Sequence, residues 1–347
     1  MIQLSEFQYR RRWYPFILFL VFMSICFGLG YASFQRYDPR TTGINDTISY
    51  YNMTQFNYDP QETPPPFRFR PLIPTLAGGI LKIVSHLNLG SWNPVFFCLS
   101  MVNSVFISFT CLILIEITRS LKLGNVGALL SPFLYLSSYS VVNYHMAGLI
   151  ESGEAFFITA IILALLKEKW FFIPILIGIG AFAKEGVVLF GLAYIVSWWL
   201  FQWFTGNTRC RNLLVYIILA VILGVISICV IRSVIGGPLF YENQVPTLNR
   251  WLGIPHFLFR SLYIKDILYA LTYLLPIGLI GLKRIPLDFV IASLVSGLMV
   301  VMAAAYREAH MGRVLFDTIG PLLTISCAVF LSEILNAPAK LQDSTDQ

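Results

Sequence analysis

The stretch LIPTLAGGILKIVSHLNL, residues 72–89, decides how this chain crosses a membrane. It is apolar enough to be read as a span, yet it contains Pro74, Gly78, Gly79, Lys82 and His86. If it crosses, Arg119 and Lys122 fall outside and every later loop inverts, against the rule that cytoplasmic connections carry the lysine and arginine. If it lies along the surface as an interfacial or re-entrant helix, the loops alternate consistently. We read it as an external interfacial helix.

Immediately before it runs the only long polar segment, RYDPRTTGINDTISYYNMTQFNYDPQETPPPFRFRP, residues 36–71. It carries Asp38, Asp46, Asp59, Glu62 and four arginines. An apolar run, Trp13–Phe34, precedes it behind Arg10, Arg11 and Arg12. That order reads as an uncleaved signal-anchor with a cytoplasmic N-terminus and an external first loop, residues 35–93.

Composition sets the class. The 347 residues are 57% hydrophobic and 12% charged, with mean hydropathy +0.72. A soluble domain carries about 25% charged residues. The expected fold is an all-α integral membrane protein of about ten transmembrane helices, forming one polytopic domain over residues 1–347 with external juxtamembrane helices in its first loop. Beyond Trp13–Phe34, the expected spans are Pro94–Thr118, Gly124–Asn143, Ser152–Leu166, Trp170–Ala183, Val187–Phe204, Leu213–Ile235, Ile267–Leu282, Leu287–Ala305 and Val314–Leu335. A polar tail, residues 336–347, follows. Every second loop is basic (Arg119/Lys122, Lys167/Lys169, Arg209/Arg211 and Lys283/Arg284), which places both termini in the cytoplasm. The net charge of +6 therefore reflects topology and not nucleic-acid binding. The six cysteines lie in or beside apolar runs and form neither a disulfide framework nor a zinc pattern.

Ser152–Leu166 and Trp170–Ala183 are short for a bilayer and bring Glu151, Glu154, Lys184 and Glu185 below the external surface, as the floor of a pocket. Asp46, just past the first span, is a carboxylate placed to deprotonate an incoming hydroxyl. A helix cap or turn is its ordinary alternative. Asp38 is the second candidate base, although Asp-Pro favours a turn. Arg68 and Arg70, alternating with Phe67 and Phe69, suit phosphate oxygens, or equally a non-specific headgroup anchor. Lys184 is costly at membrane depth unless it meets an anion, and a lipid phosphate is the expected one. Arg307 and Arg313 form an external basic turn with the same use, or a salt bridge to Glu308. Glu151 and Glu154 share a helix face. With His145 they shape an acceptor pocket, or they merely complement a helix N-terminus. Arg232 snorkels near the end of its span. Thr247–Tyr263 reads as an interfacial connector.

Together these features resemble the GT-C class of membrane glycosyltransferases, which draw sugars from polyprenyl-phosphate carriers. The likeness rests on an arginine-led first span and a long external loop with Asp46 followed by Tyr50. It rests also on Arg68-Phe69-Arg70-Pro71-Leu72-Ile73-Pro74 entering a juxtamembrane helix, and on the run Gly178–Gly186 containing Lys184. An arginine-bearing turn with Arg307 and Arg313 precedes Pro321 in the last span. The chain departs from members with an adjacent Asp-Glu pair in the first loop, since Asn45 precedes Asp46 here, and from those with a soluble C-terminal domain. The resemblance implies sugar transfer from a polyprenyl-phosphate-linked sugar at the external face, and direct displacement would invert the anomeric centre. The compact chain without a retention signal points to a bacterial inner membrane. Asp46 is then the general base, and Lys184, Arg307 and Arg313 hold the lipid phosphate. No cofactor is required, although the acidic loop admits a divalent metal. The rival expectations are a transporter or flippase of a lipid-linked or anionic solute, and a polysaccharide polymerase or ligase. A non-catalytic membrane subunit, its loop a docking surface, is the last.

Overall fold

A computed structural model describes residues 2–36, 46–55, 58–237, 253–259, 266–307 and 311–345, and among these every regular element is helical. The chain runs α1 (Ile2–Arg36), α2 (Thr47–Thr54), α3 (Leu72–Val84), α4 (Pro94–Ser120), α5 (Asn125–Leu136) and α6 (Tyr139–Asn143). It continues through α7 (Glu151–Leu166), α8 (Phe172–Ala183), α9 (Gly186–Phe204), α10 (Leu213–Ile235) and α11 (253–259). The last four are α12 (Asp266–Leu271), α13 (Leu274–Gly281), α14 (Leu287–Arg307) and α15 (Met311–Thr345).

Among the described residues, six helical stretches are long and apolar enough to cross a membrane: Trp13–Arg36, Pro94–Ser120, Gly186–Phe204, Cys210–Ile235, Leu287–Tyr306 and Met311–Leu335. The other four of the ten expected spans are not such helices. Gly124–Asn143 is broken into α5 and α6 at Ser137 and Ser138, where the Ser138 side chain caps the second piece by accepting from the Val141 amide. Ile267–Leu282 is broken into α12 and α13 around Thr272 and Tyr273. α7 has 16 residues and α8 has 12, lengths of about 24 and 18 Å at 1.5 Å per residue, short of a ~30 Å hydrocarbon core. α3, with 13 residues, is likewise shorter than a span, and buries Ile73, Pro74, Ala77 and Leu81 against α2 and α4 while Leu76 and Ile83 stay exposed.

The apolar pattern dictates which helices sit inside. α4 and α15 bury most of their length, whereas α10 keeps an apolar outer surface of Val215, Ile218, Ile222, Val225 and Ile226. Such a surface suits lipid and not water, which identifies a multi-pass membrane protein. Four polar side chains of α4 are satisfied locally. Ser104, Ser108, Thr110 and Thr118 of α4 each donate to the carbonyl four residues earlier. The two breaks satisfy one another: Tyr273 Oη donates to Leu134 O at 2.7 Å, and Ser140 Oγ donates to Ala270 O at 3.2 Å.

The basic connections gather at one end of the bundle. Lys167 pairs with Glu116 at 2.6 Å, Gln202 bonds Asp288 at 2.7 Å, and Arg284 pairs with Glu333 at 2.9 Å. These contacts join the ends of α4 and α7, α9 and α14, and α13 and α15. The opposite end collects the N-termini of α4, α7, α9 and α15 together with α2 and α3.

Glycine sets the closest approach. A Cβ at Gly281 would lie 2.2 Å from Ser326 O, a backbone atom that cannot swing aside, whereas one at Gly79 would meet nothing within 4 Å. Gly281→Ala is therefore expected to cost about 1–3 kcal/mol and lower the unfolding temperature in detergent. Gly79→Ala, in an exposed helical position, should be neutral or gain up to ~1 kcal/mol. Equal thermal shifts for the two would refute this packing.

A candidate active site at the polar end

Local sequence brings the charges together. Pro94 at the first turn and Asn93, whose side chain accepts from the Val95 and Phe96 amides, start α4 beside the first loop. Asn93 also donates to Tyr51 Oη at 2.9 Å, fastening α2 to that start. Gly148, at φ +83°, turns the chain from the 145–147 turn into α7 in a backbone conformation that favours glycine. The turn at Lys184 and Glu185 separates α8 from α9, so these neighbours leave the backbone in different directions.

The carboxylate of Asp46 precedes α2 but makes no cap hydrogen bond. It accepts instead from Arg313 Nη2 at 2.7 Å, 267 residues away in sequence. Arg313 Nε lies 3.2 Å from Glu151 Oε1, so one guanidinium bridges the loop carboxylate and the interior one. Lys184 Nζ lies 3.5 Å from the same Glu151 oxygen and pairs closely with Glu154 Oε2. Glu185 points the other way and takes Arg70 in a forked pair, Nε to Oε2 at 3.1 Å and Nη2 to Oε1 at 3.2 Å. The third Arg70 donor, Nη1, reaches Tyr50 Oη at 3.1 Å.

Exposure grades the cluster. The Glu151, Glu154 and Asp317 side chains are closed off, while Asp46 and Glu185 keep 16% and 20% of their side-chain surface open. Asp46 is thus a carboxylate at the mouth, oriented from behind by Arg313. Burial pushes the Tyr50 hydroxyl up to about 12 against the pull of Arg70, so it stays neutral. Burial would lower the Lys184 ammonium, but Glu154 and Glu151 outweigh it and raise it, keeping the charge. Burial pulls His145 down to about 4. His145 Nε2 and Asp317 Oδ1, 2.9 Å apart, are accordingly hydrogen-bonded with the ring neutral, and Tyr135 Oη lies 3.5 Å from Nδ1.

The carboxyl groups outnumber the cations here: Asp46, Glu151, Glu154, Glu185 and Asp317 surround Arg70, Lys184 and Arg313. Glu154 Oε1 and Asp317 Oδ2 are buried with no hydrogen-bond donor among the described residues, and the two side chains lie against each other. Two facing carboxylates offer only acceptors, so a proton between them is what would satisfy both. Among the described residues no three His, Cys, Asp or Glu side chains form a group able to hold a metal ion.

The sequence candidates divide accordingly. Asp46, Tyr50, Arg70, His145, Glu151, Glu154, Lys184 and Arg313 belong to this one network. Lys184 and Arg313, expected to meet lipid phosphate, are here engaged by carboxylates. Arg68 stands apart, its Cζ 4.9 Å from the Phe69 ring centroid and its Nε buried without a hydrogen-bond partner among the described residues. Arg232 Cζ lies 5.4 Å from the same ring. Asp38, Asn45 and Glu308 lie outside the described residues, as do most of Thr247–Tyr263 and the side chain of Arg307, whose backbone ends α14. Asp317 was not anticipated, although an ionisable residue inside a span is itself a signal. No family model, curated protein or solved structure matches the chain.

Removing the central cation tests the network. Lys184→Met leaves Glu151 short of a partner and Glu154 without a cation, an expected loss of about 3–5 kcal/mol. Glu154→Gln in the same chain should restore part of it, and a double-mutant cycle on thermal or denaturant unfolding measures the coupling. Strict additivity would mean the two side chains do not interact.

Proposed function

We propose that this chain is an integral membrane glycosyltransferase that moves a sugar from a polyprenyl-phosphate donor to an acceptor hydroxyl, with Asp46 as general base. The observation that carries the reading is the placement of Asp46. A carboxylate that begins a helix without capping it, is held by an arginine, and sits at the mouth of a buried charge network is suited to proton transfer. In the proposed reaction the acceptor O–H gives its proton to Asp46, and the oxygen attacks the anomeric carbon from the face opposite the leaving group. The C–O bond to the phosphate breaks, the polyprenyl phosphate leaves with the electron pair, and the anomeric centre inverts.

The leaving phosphate gains negative charge, and fixed cations are what lower that barrier. Arg68, with an unengaged Nε beside Arg232 and Phe69, is the first candidate for that contact. Arg70 is the second, through exchange of Glu185 for a phosphate oxygen. Arg307 is proposed for the same role. Lys184 and Arg313 serve as positioning residues: they hold Glu151 charged, and Glu151 with Asp46 fixes the guanidinium. α3 lies on the external interface in this scheme, the basic connections face the cytoplasm, and both termini are cytoplasmic.

Transport is the second reading, and the Glu154–Asp317 pair favours it. A buried carboxyl pair that needs a proton inside a membrane bundle is also the equipment of proton-coupled carriers.

Purified full-length protein incubated with a labelled polyprenyl-phosphate sugar, with and without acceptor hydroxyls, separates the two. Donor cleavage by wild type, a loss of roughly 10²–10⁴-fold in Asp46→Asn with donor binding kept, and weakened donor binding in Arg68→Gln are expected. Full activity in Asp46→Asn would remove the proposed base. Donor binding without cleavage, together with proton-driven uptake in proteoliposomes that Asp317→Asn abolishes, would establish transport instead.

A further inference from the structure

At the opposite end of the bundle, the chain leaves α13 through the turn Leu282–Arg284 while α15 continues alongside. α13 has only eight residues and is pressed against α15 by the glycine contact at Gly281 and by Ser326 Oγ donating to Gly278 O at 2.6 Å. Because the short helix stops while its neighbour runs on, a groove of about 610 Å³ opens between them. Its walls are of two kinds. Leu279, Ile280 and Phe330 supply apolar surface, with the first two exposed on the outside of the bundle. Lys283 and Arg284 stand at its polar edge.

Lys283 has no ion pair among the described residues, and Arg284 is held only by Glu333 at 2.9 Å between two well-exposed side chains. An exposed pair of this kind contributes little and is readily exchanged. The groove therefore joins a strip matching an acyl chain to cations matching a phosphate. It also lies at the end where the basic connections gather, the side on which anionic lipid headgroups attract lysine and arginine.

We propose that this groove binds an anionic phospholipid, its acyl chain along Leu279, Ile280 and Phe330 and its phosphate between Lys283 and Arg284. Glu333 competes for Arg284 and sets how strongly the headgroup is held. The site is remote from Asp46 and does not depend on the transferase reading.

The test is native mass spectrometry of the full chain released from micelles containing equal phosphatidylglycerol and phosphatidylcholine of the same acyl composition. Wild type should retain phosphatidylglycerol about 30-fold over phosphatidylcholine, the preference expected of two cations near a membrane surface. Lys283→Gln/Arg284→Gln should abolish the preference, whereas Lys167→Gln, at the same end but outside the groove, should keep it. Glu333→Gln should strengthen retention, a change opposite in sign that misfolding would not produce. Equal retention of both lipids by wild type, an undiminished preference in the double variant, an equal loss in Lys167→Gln, or weaker retention in Glu333→Gln would each overturn the proposal.

Discussion

Arg313 is the residue on which the interior depends. Its guanidinium spans from Asp46 in the first loop to Glu151 at the start of α7, while Glu151 also faces Lys184 from the turn between α8 and α9. Three distant parts of the sequence and the N-terminal turn of α15 are thereby held to one arrangement. A charge so enclosed is tolerable only with partners in place, because desolvation of an unpaired ion in such a site costs several kcal/mol. The same requirement makes the cluster rigid: none of its members can leave without stranding another.

Rigidity behind an open edge is a useful combination for chemistry. The closed carboxyls Glu151, Glu154 and Asp317 are occupied by one another and by Arg313, Lys184 and His145, whereas Asp46 has both a fixed orientation and access. Tyr50, kept neutral by burial, links Arg70 to the same region and lets the first loop be read as part of the site and not as a cover over it. Charged residues in water would need to be organised by each arriving substrate. In the proposed transferase that organisation precedes the substrate.

Much of this was legible in the residues. The lone long polar loop, the alternation of basic connections and the isolated charges Glu151, Glu154 and Lys184 pointed to a membrane bundle with charge gathered at one end, and the structure gathers it there. Pair identity was not legible. Arg313 and Asp46 are 267 positions apart, and nothing local distinguishes a lysine awaiting phosphate from one already held by two glutamates. Asp317 was hidden by averaging, since one carboxyl in a long apolar run leaves the run apolar. The breaks after α5 and α12 were hidden for a related reason. Ser137-Ser138 and Thr272-Tyr273 are only mildly polar, and a helix is interrupted there because side chains from the other break supply the missing hydrogen bonds.

That mutual supply has a structural corollary. Tyr273 serves the end of α5, and Ser140 at the start of α6 serves the end of α12, with Tyr139 and Tyr269 stacked beside them at 5.9 Å. Neither interrupted segment is a self-sufficient rod: each is complete only as half of a joint. If α5–α6 pivots, α12–α13 must follow or surrender its bonds. His145 sits just beyond α6, and α13 leads to the Lys283 turn. The joint thus gives the two ends of the bundle a mechanical connection that no continuous helix would provide.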